Sequence, residues 1–242
     1  WCYFSSSSVS ERKIDNFLKE TCVKQSDKPA LPRAVVIGAA FVSGFCIMTV
    51  EMLGARIMSP YFGGSLSVWG SIITIFMLSL ALGYLWGGKL SARNPSPVTY
   101  SLFFIGAAVF SLPAILMADS IMRPIFLVIE DPRYGSLIAS VFMYLVPTSI
   151  LGMISPYSVR LLVQSHEHSG QMAGLLFFVS TIGSALGTLG TTFYFVLWFE
   201  VNQILWGVVS ALIFVAAFIL LVNYVMNRSG ALSRVEQVKN QV

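Results

Sequence analysis

Long apolar runs, not short alternating segments, set the pattern of this chain from Pro32 onward. Six of them approach or exceed the ~20 residues that a helix needs to cross a bilayer: 34–58, 68–90, 98–117, 136–154, 171–197 and 204–226. Pro147 interrupts the fourth run, which makes it the least regular of the six. A shorter apolar run, 121–129, contains Arg123-Pro124 and is followed by Glu130-Asp131-Pro132; it is too short to span and is expected to lie at the interface. Residues 1–33 are polar. Ser8-Val9-Ser10-Glu11 reads as a capping box, and Ile14, Phe17, Leu18 and Cys22 then fall on one face among Arg12, Lys13, Lys19 and Lys24. This predicts a short amphipathic helix that lies on an anionic membrane surface, packs on a partner or is simply solvated.

The expected architecture is therefore an all-α polytopic membrane protein: a tail over 1–33, a six-span domain over 34–226 and a second tail over 227–242. Composition agrees. With 56% hydrophobic residues, 11% charged residues and a mean hydropathy of +0.77, the chain lacks the polar surface of a soluble domain. The net charge of +4 matters less than where the cations lie. Twelve sit in the two tails and the loops after the second and fourth spans, Lys89, Arg93 and Arg160 among them; only Arg56, Arg123 and Arg133 lie on the other side. By the positive-inside rule both termini are expected to be cytoplasmic, as an even number of spans requires. The chain begins at Trp1 and no signal peptide is recognisable, so an upstream portion is expected to have been removed or never included.

A weak internal repeat adds to this. Ser59-Pro60-Tyr61 follows the first span and Ser155-Pro156-Tyr157 the fourth; Gly83-Tyr84-Leu85-Trp86-Gly87 in the second span has its counterpart in Gly183-Ser184-Ala185-Leu186-Gly187 of the fifth. The offsets are 96 and 100 residues. Three spans per unit would make the second unit inverted, a 3+3 arrangement in which transporters place their sites between repeats. Gly83, Gly87, Gly183, Gly187 and Gly190 are expected to let helix backbones approach closely. With Ser180, Ser184 and Thr188 they give the fifth span a small, polar stripe, which fits a helix packed on several sides at the bundle centre or the wall of a polar cavity.

Candidate chemistry is sparse. Glu51 is a carboxylate inside an apolar span, at a cost of roughly 2.5–3.5 kcal/mol on insertion scales, and such residues are usually functional. It is the first candidate for a ligand or proton site, with Tyr84, Trp69 or a polar group of the fifth span as expected partners. Arg56, five residues on, falls on a different face and is expected to snorkel. Cys2, Cys22 and Cys46 have neither disulfide nor metal-ligand spacing. His166-Glu167-His168, on a polar loop without a nearby cysteine, is expected to be solvated, so no metal is assigned. No cofactor, catalytic residue or nucleic-acid partner is expected either, since the basic residues are membrane flanks without interleaved aromatics.

The chain resembles the membrane-embedded half of fused major-facilitator/spermidine-synthase proteins over residues 34–226. The segments that carry the resemblance are Glu51-Met52-Leu53-Gly54-Ala55-Arg56, Ser59-Pro60-Tyr61-Phe62-Gly63 with Trp69, Gly83-Tyr84 with Gly87-Gly88-Lys89-Leu90, LGMISPYSVRL at 151–161 and GLLFFVSTIGSALGT at 174–188. Lys89 and Arg93 are similar in place to the basic loop of major-facilitator transporters, and otherwise read as positive-inside anchors. The resemblance implies a multi-pass protein of a bacterial cytoplasmic membrane, or less readily of an organellar inner membrane. It also implies polyamine-linked chemistry in an attached transferase, but no Gly-rich loop follows a strand here and 227–242 leaves no room for that domain. The transferase is expected to be a separate polypeptide, to have been lost, or to lie outside the given sequence. Two functions are expected: a non-catalytic module that anchors or assembles a partner, or a small-solute carrier in which two copies complete twelve spans around Glu51.

Overall fold

The computed structural model describes residues 31–92, 95–129, 131–163 and 169–239, with side chains up to Ser229. Leu31–Val225 forms one compact unit. The second unit, Trp1–Ala30 with Met226–Val242, is described only in the last turns of the final helix. The amphipathic helix expected near Ser8–Lys24, Arg93, Glu130 and His166-Glu167-His168 lie outside the described residues.

The described residues are helical, with no strand among them. In chain order the helices are α1 (Arg33–Phe62), α2 (Leu66–Ser91), α3 (Pro97–Leu116), α4 (Ala118–Val128), α5 (Pro132–Leu162), α6 (Ser169–Gly190, continued by a π-helical turn Thr191–Phe195 and Val196–Trp198) and α7 (Val201–Lys239). All but α4 are long and apolar enough to cross a membrane, and the chain is a multi-pass membrane protein. Pro147 and Pro156 sit inside α5 without ending it. Proline removes one backbone donor, and in a packed membrane bundle the freed carbonyl can be served by neighbours, so the interruption read at Pro147 is not a break. α4 is the short segment expected at 121–129; only Met122 of it is buried.

Two helix pairs hold the bundle together, and both meet backbone to backbone. α2 lies along α5 in the most extensive of the interfaces among helices α1–α6. A Cβ placed on Gly83 would stand 2.2 Å from the Ser149 carbonyl oxygen and 2.9 Å from Gly152 Cα, and one on Gly87 2.6 Å from Met153 Cα. α1 lies along α6 in the next most extensive: a Cβ on Gly183 would stand 2.3 Å from the Phe41 carbonyl oxygen, on Gly187 2.5 Å from that of Phe45, and on Gly44 2.3 Å from that of Ser180. In each pair the residue numbers rise together, so the helices run parallel, as the first and fifth, and the second and fourth, of six successive crossings must. Small residues drive such packing in lipid, where no hydrophobic effect separates helix from hydrocarbon.

α6 is not the central helix that its small residues suggested. Over Ser169–Gly190 only Leu176, Gly183 and Gly187 are buried, with Thr191 following in the π-helical turn, and one narrow face meets α1. Thr181 and Thr188 return their hydroxyls to the carbonyls of Phe177 and Ser184, and Ser184 donates to the Gly44 carbonyl. The polarity of the stripe is thus absorbed by backbone carbonyls and lines no shared core.

The centre belongs to α1 and α5, which cross antiparallel. Phe62 fills the space over Gly135, the Ser140 hydroxyl lies 3.5 Å from Met58 Sδ, and the Tyr144 ring covers Gly54. At one end Tyr61 donates to Asp119 Oδ1 at 2.6 Å, tying α1 to α4, while Phe126 meets both Tyr61 and Phe62 edge-on. At the other end Tyr157 accepts from the Ser96 amide at 2.7 Å and stacks on Tyr100, whose hydroxyl pairs with Ser158; this fixes the turn between α2 and α3.

The contrast between two glycines of α2 checks this account. Gly83→Ala, which must push apart two backbones, should lower thermal stability in lipid nanodiscs by about 1–3 kcal/mol. Gly88→Ala, with open space around it, should be neutral to about 0.5 kcal/mol. Equal melting temperatures for the two variants would contradict the backbone contact.

Candidate functional site

The antiparallel ladder between α1 and α5 places the intramembrane carboxyl. Its rungs are Phe62 with Gly135, Met58 with Ser140 and Gly54 with Tyr144. Each turn back along α1 advances α5 by four or five residues, so the next rung falls at Val50 on α1 and at Thr148 or Ser149 on α5, with Glu51 beside it. At ~1.5 Å per residue, Glu51 and Tyr144 both lie roughly 17–18 Å from the ends of α1 and α5 that meet at Phe62 and Pro132.

Three side-chain atoms are buried without a hydrogen-bond partner among the described residues: Glu51 Oε2, the Tyr144 hydroxyl and Ser149 Oγ. All three come from this one stretch of the α1–α5 contact. Glu51 is only 5% exposed. Tyr144 is fully buried, its ring tilted 39° against Phe76 of α2 at 5.3 Å, while the Ser149 carbonyl presses on Gly83 of the same helix. Pro147, lying between them, cannot donate to the carbonyl of Met143 one turn earlier, so that backbone acceptor also lacks its usual helical donor. Buried polar groups in proteins are overwhelmingly paired, so a concentration of unpaired ones on two facing helices is exceptional.

The group has a definite chemical demand. As an anion, Glu51 has no ion-pair partner among the described residues, and Arg56 is exposed. A bare carboxylate in a low-dielectric interior is costly enough that it must take up positive charge, either a proton on its own oxygen or a bound cation. Tyr144 and Ser149 supply hydroxyls that can accept from a bound donor or donate to the carboxylate. The Met143 carbonyl adds an acceptor. Acceptors without a fixed cation suit a protonated amine or a proton carried on water.

The other residues singled out in the sequence fall elsewhere. Trp69 and Tyr84 are 37% and 48% exposed on α2, and neither hydrogen-bonds to Glu51. Gly83, Gly87, Gly183 and Gly187 make the close backbone contacts expected of them. Gly190 does not, because a methyl there would meet only the Phe195 ring at 3.8 Å and the Phe45 ring at 3.9 Å. Lys89 and Arg160 are exposed near the α2 and α5 termini, and Arg93 lies outside the described residues. Sequence reasoning missed Tyr144 and Ser149. The available signal was polar residues flanking a proline inside an apolar run, which marks a place where a membrane helix has unpaired backbone.

No group of three His, Cys, Asp or Glu residues able to hold a metal ion occurs among the described residues. Comparison with protein-family models, with curated proteins and with solved structures found no match to the chain.

Tyr144→Phe tests the orphaned state directly. Removing a buried hydroxyl that has no partner should leave stability unchanged or raise it by about 1 kcal/mol in ligand-free protein. A loss of more than about 1 kcal/mol on thermal unfolding would mean that the hydroxyl is already paired.

Proposed function

We propose that this protein is a non-enzymatic six-span carrier module that binds a proton or a small cationic amine at Glu51. Tyr144 and Ser149 complete the site, and two copies form the working transporter. One observation carries the reading: a buried carboxyl on α1 and two buried hydroxyls on α5, in the stretch where the two helices cross, are without hydrogen-bond partners among the described residues. A structural hydrogen-bonding centre would pair these atoms with one another.

The pairing of spans supports it. A 3+3 repeat exchanges the first span with the fourth and the second with the fifth, so it exchanges the α1–α6 pair with the α5–α2 pair. Those are the two glycine-mediated parallel interfaces. Glu51 would then sit where the first helices of the two repeats cross, which is where carriers of this kind bind their solutes. Under the charge distribution of the loops, both termini face the cytoplasm. The resemblance to the membrane half of spermidine-synthase fusions makes a di- or polyamine the first solute to test.

A second reading, a module that anchors or assembles a partner protein, is favoured by α6. Most of that helix is exposed, and a Cβ added at its Gly170 or Gly174 would have nothing within 4 Å. Small residues left open along a membrane helix suit a closely packed neighbour.

Uptake of radiolabelled putrescine and of protons into proteoliposomes distinguishes the two. Wild type should accumulate one or both, and Glu51→Gln should lose at least about 90% of uptake while keeping its melting temperature, as removal of a charge site requires. Absence of uptake by wild type, together with co-purification of a stoichiometric partner protein, would favour the anchoring role instead. Topology is checked in a cysteine-free background: Ala92→Cys should label only after permeabilisation of whole cells, and Ser65→Cys without it.

A further inference from the structure

On the face of α1 turned away from α5, the fold leaves a cavity of about 520 Å3. Phe41, Phe45, Cys46 and Thr49 of α1 form one wall, Phe195 of the π-helical turn and Phe199 just beyond α6 a second, and the exposed Gln203 and Gly207 of α7 the mouth. Its size lies within the roughly 300–1,000 Å3 of small-molecule sites, and its lining is apolar with few polar groups, the usual make-up of such sites.

The cavity is built by a specific device. α6 widens into a π-helical turn at Thr191–Phe195, a distortion that recurs at functional sites. The turn is locked to α1, since the Thr191 hydroxyl donates to Thr49 Oγ1 at 3.1 Å and Thr49 donates to the Phe45 carbonyl at 2.9 Å. The Phe195 ring consequently stands edge-on to Phe45 at 6.2 Å and props the wall open. Thr49 and Thr191 thus spend their hydrogen bonds on each other and on the backbone, so the inner end of the cavity offers nothing to a polar ligand. The polar group at the mouth differs. Gln203 accepts from the Glu200 amide at 3.3 Å through Oε1, which leaves its NH2 group as a donor without a partner among the described residues. Glu200 beside it is exposed, and the mouth residues include no Lys or Arg.

We infer that this cavity is a binding site for a single-chain lipid with an uncharged, oxygen-bearing head, such as a long-chain alcohol. The chain lies along Phe41, Phe45 and Phe195, and the head oxygen accepts from Gln203. The neighbouring Glu200 carboxylate repels a fatty-acid carboxylate, and the lack of a cation gives a phosphate head no partner. This inference is independent of the Glu51 reading, because it uses the opposite face of α1.

Photo-crosslinking of the purified full-length protein in nanodiscs tests it, with a diazirine-bearing hexadecanol as probe and a diazirine-bearing palmitate as comparison at pH 7. Hexadecanol should label peptides containing Phe41–Thr49 and Gln203–Ala211 saturably, and unlabelled hexadecanol should compete; palmitate should label the same peptides about fivefold less, the size of one lost hydrogen bond. Gly207→Leu places a side chain in open space at the cavity wall and should reduce hexadecanol labelling at least about tenfold without unfolding the protein. Gln203→Leu, at an exposed position, should abolish the preference for the alcohol while leaving the chain bound. Labelling that does not saturate and spreads equally over Met77 and Leu78 of the exposed α2 face would overturn the site. Equal or stronger labelling by palmitate in wild type would overturn the assignment of an uncharged head.

Discussion

Backbone-to-backbone contact at glycine is the constraint on which the rest of this structure depends. At Gly83, Gly87, Gly183, Gly187 and Gly44 there is no room for a methyl group beside the facing main chain. Apolar side chains cannot hold these helices together, because they meet equally apolar lipid on the other side. What distinguishes the bundle from separate helices is the larger van der Waals contact that glycine permits along α1–α6 and α2–α5. Both are parallel pairs in a chain of alternating crossings, so neither can form between neighbours joined by a tight turn. The fold is therefore stitched across long stretches of sequence, and α5 is placed only when α2 receives it.

Fixing those two pairs leaves α1 with two opposite faces and two kinds of chemistry. Toward α5 it presents Glu51, Gly54 and Met58, and the contact tightens around Gly54 until polar atoms are enclosed without partners. Toward α6 and α7 it presents Phe41, Phe45 and Thr49, and the π turn keeps the neighbours apart so that an apolar space remains. Thr49 and Glu51 are two residues apart, about 200° round the helix, which is why one helix can serve both.

The six spans were legible in the sequence because continuous apolar length is sufficient evidence in a bilayer, and the short α4 was legible for the same reason in reverse. The close-packing role of four of the five glycines singled out was legible from their spacing. The partners of Glu51 were not. Tyr84 and Trp69 look suitable by residue type, yet a helix shows its sequence on all sides, and α2 turns Gly83 and Gly87 inward, which forces Tyr84 outward. Tyr144 becomes a neighbour only through the α1–α5 register, and that register depends on which small residues meet: Gly135 under Phe62 and Gly54 under Tyr144. The peripheral place of α6 was not legible for a related reason. Small residues permit close packing on a face, but they do not say how many helices arrive to use it.

The two short sequence matches, set 96 and 100 residues apart, do not carry the helix contacts of one half onto those of the other at the same depth. Aligning Ser59-Pro60-Tyr61 with Ser155-Pro156-Tyr157 carries Gly44 onto Ser140, whereas the close approach on α5 is at Gly152, three turns further on. The same pairs of helices touch, but at different depths. A strictly symmetric bundle would repeat the α1–α6 contact at Ser140, where α5 instead meets Met58 of α1. The α2–α5 contact is closest at Ser149 and Gly152, and Phe76 of α2 tilts on the Tyr144 ring, so the stretch from Ser140 to Ser149 is held by α2 while Ser140 and Tyr144 also meet α1. Under that alignment Glu51 falls on Pro147 of α5, so the one carboxyl in α1 has no acidic counterpart in α5 and the chemistry of the α1–α5 crossing does not repeat even where the helix pairs do.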